Sequence, residues 1–212
     1  MNFRMALAAS LALPSLPLHA TTYTLEPNYT EGVIRWNHLG FSSPTAQFSQ
    51  AVGALEFDQA DPTRSSVEVT IPLANLNSGV PDLDEDLRSS RFFETAKFSN
   101  AIFKSTKVEK GDGPNQLKVT GDLSLHGVTK SITLDVTVNK VGENQLDRIQ
   151  TVGFSATTTL KRSEFGLSKF VPIVSDEIEV RIVCQGAESK AYADWLKAEA
   201  AKKAAKDAAA KK

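Results

Sequence analysis

The chain has 212 residues, 41 % of them apolar, with 24 basic and 25 acidic side chains. A net charge of −1 excludes the basic excess of a nucleic-acid binder, and this apolar fraction excludes disorder along the whole length. One cysteine and three histidines allow no internal disulfide and no cysteine-based zinc site, and leave little for a histidine metal site.

Residues 1–20 read as a signal peptide. Arg4 supplies a positive start, residues 5–18 a short apolar stretch, and Ala20 a small residue at the cleavage point. The stretch is shorter than the roughly 20 apolar residues that span a bilayer. Pro14 and Pro17 would break a buried helix there. The mature chain is expected to begin near Thr21 and to be exported and soluble.

Residues 21–186 form the body, and most of it alternates with period two. Ile34, Trp36 and His38 alternate with Arg35 and Asn37, and Val67, Val69 and Ile71 with Glu68 and Thr70. Ala101, Phe103 and Ser105 follow, then Leu117, Val119, Gly121, Leu123 and Leu125. Ile132, Leu134, Val136 and Val138 share a face, as do Val152, Phe154, Ala156, Thr158 and Leu160, and Ile178, Val180, Ile182 and Cys184. Together with turn signals such as Gly111-Asp112-Gly113-Pro114, this pattern predicts antiparallel strands with one apolar face. A sandwich or a closed barrel would hide that face, and closure would also remove exposed edges.

Residues 81–97 break the alternation. Leu83, Leu87, Phe92 and Phe93 follow a helix-like spacing, with Asp82 placed to cap and Asp84, Glu85 and Asp86 in the first turns. This predicts a short helical insertion that could lie across a barrel mouth. Residues 187–212 are a separate zone with 11 Ala, 7 Lys and 4 acidic residues. Such a segment forms helix but buries little; Tyr192, Trp195 and Leu196 are its only larger apolar or aromatic side chains. A solvated helix docked weakly through Trp195 is the preferred reading. Weak contact between the basic tail and an anionic membrane is the functional alternative.

No catalytic constellation stands out. The run of Asp82, Asp84, Glu85 and Asp86 lacks the alternating ligands and central Gly of a calcium loop, and reads as an exposed helix start. His38 and His126 lack spaced carboxylate partners. Neither a nucleophile elbow, a phosphate loop nor a dinucleotide fingerprint occurs. Cys184 shares a face with Ile178, Val180 and Ile182 and reads as a small buried hydrophobe.

Several stretches resemble the YceI family of periplasmic polyisoprenoid-binding proteins. They are His38-Leu39-Gly40-Phe41 followed by Phe48, residues 87–93 (LRSSRFF), Phe103-Lys104-Ser105-Thr106, residues 120–130 (TGDLSLHGVTK), and Phe165-Gly166 before Ser175-Asp176-Glu177-Ile178. The resemblance runs from Tyr23 to about Gly186. The chain departs from the family's usual residues at Ala46, Leu83, Asp86 and Ser99.

The resemblance implies a lipocalin-like, eight-stranded antiparallel barrel that holds an isoprenoid chain of quinone or polyprenyl type. No catalytic residue, cofactor or metal is expected from the residues themselves, and the resemblance is the only ground for expecting a homodimer. Strand parity assigns Ile34, Trp36, His38, Phe103, Leu123, Leu125, Leu134, Val136, Phe154, Ile178 and Val180 to the interior. Phe48, Leu55 and Phe57 can join them only if a bulge lies between Phe48 and Leu55. Phe92 and Phe93 are candidate gate residues. Burial at about 0.8 kcal/mol per CH₂ makes one isoprene unit worth roughly 3–4 kcal/mol gross. A few such units offset an association cost of about 4–15 kcal/mol without any hydrogen bond. Two other classes remain open: an envelope stress or structural protein whose barrel is filled by its own side chains, and a hydrolase using His38 or His126.

Overall fold

The computed structural model describes residues 20–210, and in it the alternating segments form one antiparallel sheet that closes on itself. Residues 1–19 of the expected signal peptide lie outside the described residues. The strands are β1 (Thr21–Leu25), β2 (Glu31–Arg35), β3 (Thr45–Phe48), β4 (Val52–Phe57), β5 (Ser66–Pro72), β6 (Asn100–Lys110), β7 (Gln116–Leu125), β8 (Val128–Glu143), β9 (Gln150–Lys161) and β10 (Glu177–Glu188). Helix α1 (Pro81–Arg88) lies between β5 and β6, and α2 (Ser189–Ala210) follows β10.

The closed ring is β1-β4-β5-β6-β7-β8-β9-β10, with β10 paired back to β1. This is an eight-stranded barrel; the sheet is not split into a sandwich. The hairpin β2-β3 continues the wall rather than adding to the ring. β10 pairs with β2 from Glu179 to Val183 and with β1 from Gly186 to Glu188, so β1 and β2 are two pieces of one wall strand. Pro27, which has no N–H to give the ladder, opens a tight helical turn between them (Pro27–Tyr29). β3 and β4 are likewise two pieces of the next strand. Their break falls at Ser49, Gln50 and Ala51, where Gln50 takes the left-handed conformation with φ of 60°. That break takes the place of the expected bulge, and it returns Leu55 and Phe57 to the face that Phe48 shares.

The long strands β6 to β10 build most of the wall. β7 illustrates why the alternation works: Leu117, Val119 and Leu123 are buried while Lys118, Asp122 and Ser124 point outward against β6 and β8. Gly121 interrupts the apolar series for a packing reason. A Cβ there would lie 2.5 Å from the Phe103 ring, which occupies the vacant space.

At the upper end, where β2, β5, β7 and β9 finish, the wall is completed by residues 73–99. Gln47 and Asn77 exchange backbone hydrogen bonds of 2.8 and 2.9 Å, which ties this segment to β3. Pro81 sits at the first turn of α1, where a missing N–H costs nothing. Asp82 is not the cap: Val80 holds that position and gives no side-chain bond. The run of acidic residues is also not a wholly exposed helix start, since Asp84 is buried. Its carboxylate accepts the Ser78 N–H and hydroxyl, both at 2.6 Å. These bonds hold the Asp84 carboxyl below its ordinary value, with burial opposing. α1 ends at Arg88, and Phe92 and Phe93 lie on the turns beyond it rather than on the helix.

At the lower end β10 runs further than composition suggested. Ala187 is 1 % exposed and pairs with both Thr24 and Thr151, so the tail begins at Ser189. The Glu188 carboxylate accepts the N–H groups of Lys190 and Ala191 and satisfies the helix start. No α2 side chain is buried, and Trp195 stacks on Tyr192 of its own helix at 5.9 Å.

Candidate functional site

The inward faces enclose a cavity of about 410 Å³ along the barrel axis. Its walls bring together all the positions that parity assigned to the interior: Ile34, Trp36 and His38 of β2 and its extension, Phe103 of β6, Leu123 and Leu125 of β7, Leu134 and Val136 of β8, Phe154 of β9, and Ile178 and Val180 of β10. Phe48, Leu55 and Phe57 join them across the break at Gln50, and Phe92 and Phe93 close in from the upper end. Two aromatic pairs brace the space. Phe48 meets Phe93 edge-on at 5.6 Å, and Phe57 meets Phe154 edge-on at 5.5 Å.

The interior is hollow. Val152, packed against protein on all sides, is 0 % exposed. Ile34, Phe154, Leu160 and Ile178 point inward yet are only half-buried, because they face open space. A cavity in the 300–1,000 Å³ range, lined by aliphatic and aromatic groups, is the usual form of a small-ligand site.

Polar groups are few and mostly engaged. Arg162 is the most elaborate. Its Nε donates to Ser175 O at 2.8 Å and its Nη2 to Val174 O at 3.2 Å; Nη1 donates to Leu167 O at 2.5 Å and Lys169 O at 2.9 Å. Burial pushes the guanidinium below its ordinary value, opposed by nearby Asp176. Thr158 donates its hydroxyl to Thr133 O, and Asp86 pairs with Arg91 at 3.1 Å. At the lower end Thr30, Ser65 and Ser66 reach the wall. Burial raises the Cys184 thiol to about 11, against the opposing effect of its hydrogen bond with Thr30. It therefore stays a neutral, inert thiol at physiological pH.

The two histidines do different things. His38 stands exposed on the upper rim and borders the cavity. His126 is off the cavity wall, in the turn between β7 and β8. Its Nδ1 lies 3.1 Å from the Phe165 carbonyl oxygen, an acceptor, so this nitrogen carries the proton. Its ring packs on Phe98 at 4.6 Å, and its Nε2 sits 3.8 Å from a Glu94 carboxylate oxygen. His126 thus ties three upper-end segments together. Among the described residues, no group of three or more His, Cys, Asp or Glu side chains is placed to hold a metal ion.

Sequence reasoning missed the contribution of residues 162–174. Arg162, Leu167, Phe170 and Val174 all line the cavity. Their loop does not alternate, and the partners of Arg162 are backbone carbonyls, which leave no mark in a sequence.

Fold and cavity together define a class: closed antiparallel barrels that enclose an apolar chamber. Within it, the family model for the YceI-like domain matches residues 23–185, and the chain belongs to that family. It is 36 % identical over 168 residues to a UPF0312 protein of Vibrio parahaemolyticus, covering 78 % of this chain and 87 % of that protein. A UPF0312 protein of Shewanella oneidensis is 31 % identical over 187 residues, covering 87 % and 96 %. Among solved structures, a Campylobacter jejuni YceI protein matches with a TM-score of 0.63 and 27 % identity, over 72 % of this chain and 89 % of that one. A polyisoprenoid-binding domain from Saccharophagus degradans, implicated in plant cell wall breakdown, shares the fold with a TM-score of 0.62. It is 17 % identical and covers 79 % of this chain and 99 % of that one.

Proposed function

We propose that the chain is a non-catalytic carrier that holds a long-chain isoprenoid lipid, of quinone or polyprenyl type, in the barrel. The observation that carries this reading is the hollow lumen, a cavity of about 410 Å³ on which the inward side chains of Ile34, Phe154, Leu160 and Ile178 stay only half-buried. A barrel filled by its own side chains would leave no such space, so the cavity favours a carrier over a self-filled structural protein. The polyisoprenoid-binding domain that shares the fold supports the same ligand class. Apolar burial is non-directional. A slender chain can therefore be held without the convergent polar groups that catalysis needs. Export to the periplasm, inferred from residues 1–20, would place the carrier between two membranes. No described helix is long and apolar enough to cross either of them.

Native mass spectrometry of protein purified from its own cells tests the proposal. An adduct whose mass fits an isoprenoid quinone or polyprenol is expected. If the native protein carries no adduct, and delipidated protein takes up neither lipid from detergent, the carrier reading is wrong.

A further inference from the structure

The upper rim displays apolar side chains beyond those that pack the barrel. Phe41 is 90 % exposed and Ile173 63 %, with Leu39 exposed beside them and Phe170 half-exposed between the rim and the Phe92 ring. They sit on two loops, residues 36–44 and 166–176. These loops are fastened together: the Ser175 N–H donates to Asn37 O at 3.0 Å, the Asn37 N–H donates to Ser175 Oγ at 2.9 Å, and His38 bridges Val174. Arg162 pins four carbonyls of the second loop from behind. The tips are therefore held in place. Leu39 and Phe170 moreover have φ of 58° and 64°, a left-handed conformation disfavoured for bulky residues.

Two further observations say what covers this surface. The Arg91 guanidinium lies 5.8 Å and the Lys169 ammonium 5.1 Å from the centre of the Phe170 ring. Apolar tips with the Lys169 ammonium beside them, and with Arg91 behind its ion pair to Asp86, match the bilayer interface, where rings meet acyl chains and cations meet phosphates. The rim is also continuous with the cavity, since His38 and Phe170 belong to both. The exposed carboxylates Asp82 and Glu85 keep α1 itself in water, so the two loops lead.

We infer that these loops dock the barrel mouth-first onto the phosphate-bearing face of a phospholipid leaflet, so that an apolar chain passes between bilayer and cavity without crossing water. This rests on the reading of the lumen as a lipid site. The basic tail plays no part in it, because α2 leaves the barrel at the opposite end.

The test compares the full chain with Phe41→Ser/Ile173→Ser, whose side chains are exposed and do not line the cavity. Co-flotation with vesicles of phosphatidylcholine and phosphatidylglycerol in equal parts is measured alongside uptake of detergent-dispersed polyprenol. The expected result is a loss of vesicle binding of about tenfold or more, since each side chain removes a large apolar contact. Lys169→Glu should weaken flotation on these vesicles more than on phosphatidylcholine alone, and polyprenol uptake from detergent should not change. Equal flotation of wild type and double variant overturns the inference. So does flotation lost only when residues 198–212 are deleted. A double variant that turns a dimer into a monomer while floating normally assigns the patch to a second copy of the chain and also overturns it. Polyprenol uptake that fails in wild type and variant alike, with flotation intact, sinks the carrier reading and leaves the docking surface standing.

Discussion

Replacing Gly32 with phenylalanine separates a hollow barrel from a filled one by the sign of a stability change. Gly32 lies on β2 between Ile182 and Phe48, on the same inward face as Ile34 and Trp36. A Cβ at this position would have as its nearest neighbour the Arg181 carbonyl oxygen, at 3.9 Å. The new side chain would therefore enter the cavity without strain at its root. In a well-packed core, such an insertion costs about 1–3 kcal/mol. In an empty one it removes the roughly 0.5–1 kcal/mol penalty of glycine in a strand. It also buries an aromatic ring worth about 1.5–3 kcal/mol. Lost rotamer freedom opposes this by up to about 1 kcal/mol. Delipidated Gly32→Phe should therefore be about 1–3 kcal/mol more stable than the parent in urea denaturation. The ring also takes space: a cavity of roughly 150 Å³ accommodates one benzene, against about 410 Å³ in total here. Displacing one isoprene unit, at about 3–4 kcal/mol, should weaken polyprenol binding by about two to three decades in a titration. A variant destabilised by more than about 1 kcal/mol, with polyprenol uptake unchanged, would refute the hollow-lumen argument.

The Cys184 thiol, raised to about 11, should react with a thiol reagent at neutral pH at least about 100-fold more slowly than a free cysteine of pKa about 8.5; a rate near that of the denatured protein would contradict its placement. Asp84→Asn should cost about 1–3 kcal/mol by weakening the buried bonds from Ser78. Because the folded carboxyl is held below its ordinary value, its contribution is complete above about pH 4 and is lost as pH falls through the folded pKa. The variant should therefore lose less stability on acidification than the parent, and parallel acid titrations would count against the turn held by Asp84 and Ser78. Deleting residues 198–212 should change stability by less than about 1 kcal/mol, since α2 buries no side chain; a loss above about 2 kcal/mol would make the tail part of the core.

What the sequence disclosed follows from periodicity. In a strand the side-chain period is two, so an apolar series such as Leu117, Val119, Leu123 fixes which way every neighbour points. Parity thus brought together on paper residues from β2, β6, β7, β8, β9 and β10 that share the cavity wall. Phe48 and Leu55, on opposite parities, required an interruption, and the chain supplies it at Gln50. Parity is silent where the chain does not alternate. Asp84 looked like one of four surface carboxylates, and only its contact with Ser78, six residues upstream, turns it inward. Phe92 and Phe93 reach the cavity from turns after α1, where helical spacing has no meaning. Arg162 was invisible as a wall residue because backbone carbonyls from residues 167–175 hold it there.

The seam between β3 and β5 gives the barrel two tiers of unequal strength. Below Gln50 the ring is zipped at every junction, including β1 to β4 and β4 to β5. Above it, β3 is joined on its outer side through the two Gln47–Asn77 backbone bonds and one from the Asn75 amide to Ser49 O. Parting the wall there breaks three hydrogen bonds, whereas parting β8 from β9 would break a whole ladder. The hydrogen-bonded connection is therefore weaker along this line than between β8 and β9. The amides of Gln47 and Asn77 should exchange with deuterium well before those of β8 and β9. Spreading this seam like the lips of a purse would widen the mouth, while the lower ring holds its circumference.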